Sequence, residues 1–195
     1  VNQVYHQQRV NQIIDLKEYI SGKHKILYKP SYVFNGKEYH PKKIVLQLAK
    51  TMVNFTTSYL LSNPITLTGN ETVVKAFQSV YKRGRYHSID FDILDRMVKY
   101  GFVCEYVYLD EDKNIKSKLL DPADCYPVYD SKNNYVAMIE YYTVDNVDYY
   151  TVYTNEIVEE WSNDGGELRL EATYTNISGL PIIYHNQDEL DGLGR

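Results

Sequence analysis

The sequence predicts an α+β fold, with N-terminal helices packed on a C-terminal antiparallel β meander. Three observations predict it. Apolar residues recur with a helical period up to about residue 100 and alternate with a period of two from Phe102 onward. Turn signals at Asp110 to Asn114 and at Asp164-Gly165-Gly166 punctuate the second half at short intervals. Between them, Leu119 to Asp130 (LLDPADCYPVYD) sets Pro122 and Pro127 around a small acidic turn. Each proline removes a backbone donor and forces the preceding residue into an extended conformation. That stretch is therefore no helix and a poor central strand, and reads as a rigid corner between β-hairpins.

The elements follow in order. Residues 4–21 carry a ragged helical stripe (Val10, Ile13, Ile14, Leu16, Tyr19, Ile20), with Gly22 as its stop. Lys23 to Pro30 is basic and reads as extended. Asn35-Gly36 is a hairpin turn between Tyr32-Val33 and Glu38-Tyr39. Pro41 to Leu61 is the longest predicted helix, with Pro41 in its first turn. Ile44, Val45, Leu48, Met52, Phe55, Tyr59 and Leu60 share one broad face of it. Asn63-Pro64 ends it, and Ile65 to Thr68 is an extended exit. Helices over about 70–83 and 88–100 follow, broken at Gly84, capped by Ser88 and closed by Gly101. Strands are predicted at 102–109, 115–120, 135–143, 148–154, 156–161, 168–174 and 181–184.

The chain has 195 residues. That length favours one domain, or one with a small appendage, and suffices to bury roughly 70% of the unfolded surface. The sequence opens at Val1 and closes at Gly194-Arg195, as a trimmed fragment would. No charged-then-apolar leader opens it, and no apolar run approaches a membrane span. Cys104 and Cys125 are the only cysteines, and their apolar neighbours predict buried free thiols in a reducing compartment. The net charge of -5 hides an asymmetry: residues 1–100 hold 15 Lys and Arg against 7 Asp and Glu, and residues 101–195 hold 6 against 19. Two readings follow. The halves present partner surfaces, to nucleic acid or to a neighbouring copy, or they pack against each other within one chain.

No side chain pattern carries catalysis. Asp110, Asp112 and Asn114 imitate the start of a calcium loop, but Ile115 stands where the turn needs glycine and Asp121 where it needs glutamate. Asp90, Asp92 and Asp95 lie in the opening turns of a helix, where carboxylates complement the dipole; Asp95 can also meet Lys99. Lys82-Arg83-Gly84-Arg85 is a basic turn suited to a phosphate or to the carbonyls of a helix end. His6, His24, His40, His87 and His185 are scattered, and no phosphate loop, dinucleotide turn or nucleophile elbow is present. Asn54, Asn70 and Asn176 open glycosylation triplets, which nothing else supports. The 21 tyrosines, 12 of them after residue 100, suit half-buried strands or a carbohydrate platform; Trp161 as sole tryptophan speaks against the platform. The expectation is therefore no catalytic, cofactor-binding or metal-binding residue.

Several blocks in order resemble a known family, the SPP1-portal-like phage portal proteins. Tyr19 to Leu27 (YISGKHKIL) resembles an early helix exit. Ile44 to Thr68 (IVLQLAKTMVNFTTSYLLSNPITLT) resembles the family's long helix and Pro step. Leu119 to Asp130 resembles its Pro corner. Ile139 to Thr143 (IEYYT), Tyr150 to Trp161 (YTVYTNEIVEEW) and Leu180 to Asn186 (LPIIYHN), followed by Gly192, resemble later strands. Ser62-Asn63 departs from the glycine that the family tends to place before the Pro step. The resemblance covers nearly all of this chain but only the front of a family member, before its stem helices, clip and tunnel loop. It implies that residues 1–195 are one portal wing-type domain, mainly helical over 1–100 and mainly β over 101–195. It implies a non-enzymatic structural protein with no cofactor, in a homo-oligomeric ring that is dodecameric at full length. The ring would stand at the procapsid and capsid vertex, where double-stranded DNA is packaged and ejected. Implied partners are the terminase motor, capsid or scaffolding proteins and head-completion proteins, with no membrane. Implied locations are the virion and, during assembly, the host cytoplasm. The other classes the residues leave open are a carbohydrate-binding or host-recognition β module, and a metal-dependent nuclease built on Asp90, Asp92 and Asp95.

Overall fold

A computed structural model describes residues 3–63, 65–132, 134–177, 179 and 182–186. The described residues form four α-helices and ten strands in antiparallel sheets, an α+β fold as predicted. Helix α1 spans Gln3–Ile20. It ends in a Schellman turn: Lys23 N–H donates to the Glu18 carbonyl at 2.9 Å and Gly22 N–H to Tyr19 at 3.1 Å. Gly22 has φ +90, the left-handed conformation such a cap requires. Lys25–Tyr28 is then a short 3-10 turn, not the extended run expected. Strands β1 (Tyr32–Phe34) and β2 (Lys37–Tyr39) pair across Asn35 and Gly36, both at positive φ.

Helix α2 spans Leu48–Leu60, so residues 41–47 of the predicted helix are not helical. Tertiary contact overrides helix propensity there. The Lys43 ammonium donates to the Leu27 carbonyl at 2.7 Å. The Gln47 side chain lies so close to Gly22 that a Cβ on Gly22 would sit 2.2 Å from Gln47 Nε2. The segment is thus held along the end of α1. Helices α3 (Glu71–Gly84) and α4 (Tyr86–Tyr100) match their prediction, but the hinge does not. Gly84 is helical and Arg85 makes the break, in the left-handed region at φ 55. Gly84 is needed for another reason: a Cβ there would meet the Tyr86 ring at 2.3 Å. Ser88 lies inside α4 rather than capping it, and Gly101 closes α4 at φ 84.

Strand β3 (Phe102–Leu109) is the centre of a three-stranded sheet, between β4 (Ile115–Leu120) and β10 (Ile183–Asn186). The second sheet is a five-stranded meander: β5 (Cys125–Tyr129), β6 (Tyr135–Val144), β7 (Val147–Tyr153), β8 (Ile157–Ser162) and β9 (Arg169–Thr175), in chain order. Pro127 sits in β5, an outer strand, where a missing donor costs no ladder bond on the open side. Asp145 and Asn146, both at positive φ, close the β6–β7 hairpin. Pro64, Leu180, Pro181 and Gly192 lie outside the described residues.

One core joins α1 to both sheets. Ile13, Phe102, Cys104, Leu120, Cys125, Met138, Tyr153, Val158 and Ile182 form a single buried cluster. Cys104 and Cys125 are buried in it as free thiols, and the hydrogen bond with Cys104, and then burial, push the Cys125 thiol up. The Pro corner is where the two sheets join, and three helix cations hold it. The Arg9 guanidinium donates to the Pro122 carbonyl at 3.4 Å and to the Cys125 carbonyl. It also lies over the Phe102 and Tyr126 rings, 5.3 and 5.6 Å from their centroids. Lys17 binds both oxygens of Asp121 at 2.6 and 2.5 Å. Arg96 on α4 donates to the carbonyls of Leu119 and Leu120 at 3.4 and 3.1 Å. Asp121 in turn accepts from Ala123 N–H at 2.9 Å, folding the corner on itself.

Hydrogen bonds from a charged donor contribute about 1.5–3 kcal/mol. Replacing Arg9 by Met keeps the stem and removes the donors, so it is expected to lower the unfolding free energy by about 2 kcal/mol in urea titration. The half-exposed Lys17–Asp121 pair is worth less, and Lys17→Met is expected to cost under about 1 kcal/mol. Equal losses in the two variants would contradict this ranking.

Candidate interaction surface

Helix α2 has the sequence LAKTMVNFTTSYL, in which Lys50 is the only charge. It packs mainly on α4 and buries Val53 and Thr57. At 3.6 residues per turn, Leu48, Met52, Phe55 and Tyr59 form a stripe on the opposite side. They are 63, 70, 70 and 69% exposed, and the Phe55 and Tyr59 rings stack on each other at 6.1 Å. The face that the sequence marks as apolar is thus the outer face, and the small residues are the inner one. Burying a side chain of this size is worth about 1.5–3 kcal/mol, so the isolated chain leaves a sizeable stabilisation unused.

Other apolar side chains are exposed outside this helix. The hairpin β1–β2 exposes Tyr32, Val33, Phe34 and Tyr39. A two-stranded ribbon without a packed face is marginal by itself in water. An open groove of about 470 Å³ runs between Ile65 and Leu67, the α3 residues Phe77, Val80 and Tyr81, and Ile115 of β4. At the far end of the meander, β9 pairs with β8 alone among the described residues and presents an outer edge. Leu168, Leu170, Tyr174 and Ile177 are exposed along it.

The residues singled out for chemistry are otherwise occupied. Asp110 folds its own hairpin tip, accepting from Asn114 N–H at 2.8 Å and from the Asn114 amide at 3.2 Å. Those bonds hold its carboxyl below the usual range. The three helix carboxylates go separate ways. Asp90 accepts from the Tyr81 hydroxyl, Asp95 pairs with Lys99 at 2.6 Å, and Asp92 is exposed. Burial and then the Asp90 bond push Tyr81 up to about 12. Arg83 donates to Ser79 Oγ at 2.9 Å within α3. Among the described residues no three His, Cys, Asp or Glu side chains converge as a metal ion requires. Asn70 caps α3, accepting from Thr72 and Val73 N–H at 3.0 and 3.4 Å. Asn54 lies within α2, and Asn176 is buried and donates to the Thr154 carbonyl at 2.6 Å. The histidines are equally dispersed: His6 stacks on Tyr126 at 3.5 Å and His185 meets Glu105 at 3.0 Å. His24 packs by Tyr19, His40 lies 3.9 Å from Glu38, and His87 is exposed. The tyrosines stack across strands, Tyr141 on Tyr150 at 4.9 Å and Tyr142 on Tyr149 at 5.4 Å, so these four rings brace the meander.

The geometry is that of an interaction protein, and comparison with known families says which. The family model described as phage portal protein, SPP1 Gp6-like, matches residues 4–193. The chain belongs to this family. A search of curated proteins finds no match. Portal proteins are structural rather than enzymatic; they belong to the virion and stand at a capsid vertex with other phage proteins. Among the described residues of this portal chain, no helix is long and apolar enough to cross a membrane.

Two features of the portal chain escape sequence reasoning. The inner face of α2 is one, because the larger side chains point outward. The other is the set of cations on the Pro corner, since Arg9 and Cys125 lie 116 residues apart. A weak signal for the first exists in Val53 and Thr57, small residues one turn apart that allow close helix approach.

The clamp also sets a pH dependence. Burial, and then the Arg9 cation, push the His6 imidazole from 6.5 down to about 4. A base depressed in the fold stabilises it while neutral. That contribution is complete above about pH 6.5 and is lost as pH falls through about 4. The urea midpoint is expected to fall over that window in the portal chain and to fall less in His6→Gln. A His6 imidazole titrating near 6.5 by NMR would contradict the placement.

Proposed function

We propose that this chain is the wing-type region of a portal subunit, one domain over residues 1–195 with a mainly helical half (1–100) and a mainly β half (101–195). Subunits associate into a homo-oligomeric ring, dodecameric at full length, at one vertex of the procapsid and capsid. Double-stranded DNA is packaged and later ejected through the ring. The terminase motor, capsid or scaffolding proteins and head-completion proteins dock on it, and assembly takes place in the host cytoplasm. The work is architectural, and no residue here serves catalysis.

The family match over residues 4–193 carries this reading. The fold is consistent with it in one respect: the chain keeps a sound core and yet leaves α2 and the hairpin uncovered, as a subunit of an assembly would. The charge asymmetry supports it too. Part is consumed inside the chain, by Lys17 of the first half on Asp121 of the second. The remainder is exposed and of opposite sign in the two halves, which suits a ring, where one face of a subunit meets a different face of the next.

Electron microscopy of the full-length protein tests the reading. The expected result is a ring with a central channel; a compact monomer at every concentration would contradict it. Exposed charge is screened by salt, so sedimentation is expected to show weaker ring formation at high ionic strength. An unchanged profile between low and high salt would remove the electrostatic part.

A further inference from the structure

Two surfaces of this chain match each other and are not packed against each other within it. The first is the α2 stripe of Leu48, Met52, Phe55 and Tyr59. The segment that delivers it, residues 23–50, carries seven lysines and one glutamate, and all seven lysines are exposed. The second is the outer edge of the meander. Residues 156–171 carry six carboxylates and one arginine; the exposed Leu168 and Leu170 lie among them and the exposed Tyr174 just after. One surface is apolar with a basic approach, and the other is apolar with an acidic one. Helix α2 has α4 as its main neighbour and β9 has β8, so neither covers the other.

We propose that the α2 stripe of one copy docks on the β8–β9 edge of a second copy. This rests on the ring reading and names the two faces that would meet. The contact is heterologous, because the stripe and the edge are different patches, and such contacts propagate into a ring or a filament rather than stopping at a dimer. The apolar side chains supply the affinity and the opposite charges set orientation and encounter rate. An interface of ordinary size takes about 800 Å² from each partner, more than a single four-residue stripe offers, so the contact takes in further surface around the stripe and the edge. The open edge of β9 is a surface that proteins otherwise blunt or cover.

Two variants of the full chain decide it. Phe55→Asp disables the stripe and Leu170→Asp disables the edge; both residues lie outside the core cluster, so circular dichroism melting is expected to be unchanged. In sedimentation velocity each variant alone is expected to run as a monomer where the unaltered chain assembles. Mixed, the two are expected to give 1:1 dimers and nothing larger, because only one competent stripe and one competent edge can meet. If Leu170→Asp alone still dimerises, the stripe docks on another stripe and the proposal fails. If Phe55→Asp assembles like the unaltered chain, the proposal fails while the ring reading stands. If the unaltered chain never exceeds a monomer, the proposal fails, and the ring reading is decided separately by electron microscopy of the full-length protein.

Discussion

Everything in this fold is arranged around the grip of three helix cations on the Pro corner. Arg9, Lys17 and Arg96 come from two helices and converge on residues 119–125. Between the end of β4 at Leu120 and the start of β5 at Cys125 the chain leaves the ladders, and Pro122 brings no N–H of its own. The corner's carbonyls must find donors elsewhere, since orphaned buried carbonyls are costly. The guanidinium and ammonium groups supply them at a point where the chain leaves one sheet for the other. Once that point is fixed, Cys125 enters the core beside Cys104, and Met138 and Tyr153 close over them. The relative placement of α1, α4 and both sheets follows from a handful of charge-assisted bonds plus the apolar cluster beneath them.

The same economy explains what is left outside. The cations of α1 and α4 are turned inward to the corner, whereas the lysines of residues 23–50 are exposed. Ile13 of α1 and large residues of the strands such as Leu120, Met138 and Tyr153 reach the core, whereas the largest side chains of α2 do not. A chain selected only to be a stable monomer would place Leu48, Met52, Phe55 and Tyr59 against α4. Here α4 is met by Val53 and Thr57 instead, with the Thr57 hydroxyl buried and given no hydrogen-bond partner. The packing gives up some monomer stability and keeps the larger side chains on the surface, where a neighbour can use them.

Legibility in the sequence followed the range of the interactions. Strands β3 and β4 were readable to the residue, because alternation and a polar tip are local signals. So were the turns at Asn35-Gly36 and Asp145-Asn146, where positive φ selects residue types. The start of α2 was not readable: Gln47 and Lys43 are held by Gly22 and Leu27, contacts invisible to a periodicity. The break between α3 and α4 was placed at Gly84, on the rule that glycine interrupts helices. The interruption belongs to Arg85, and Gly84 is there for the Tyr86 ring. The Pro corner was recognised as a rigid joint, but the cations that hold it lie 23 to 116 positions away. Two of the acidic groups have local partners that the sequence shows, Asn114 for Asp110 and Lys99 for Asp95, whereas Asp90 meets Tyr81 from the preceding helix.

The central claim is that the corner is clamped and not a surface loop. Amide hydrogen exchange measures this directly, since protection reports the free energy of local opening. The N–H of Tyr141 donates to the Asp124 carbonyl at 2.8 Å across the corner, and β5 pairs with β6 throughout. The β5 amides that face β6, and that of Tyr141, are therefore expected to exchange as slowly as those of β3, and only through global unfolding. Exchange there at the rate of the Asp110–Asn114 tip would contradict the account.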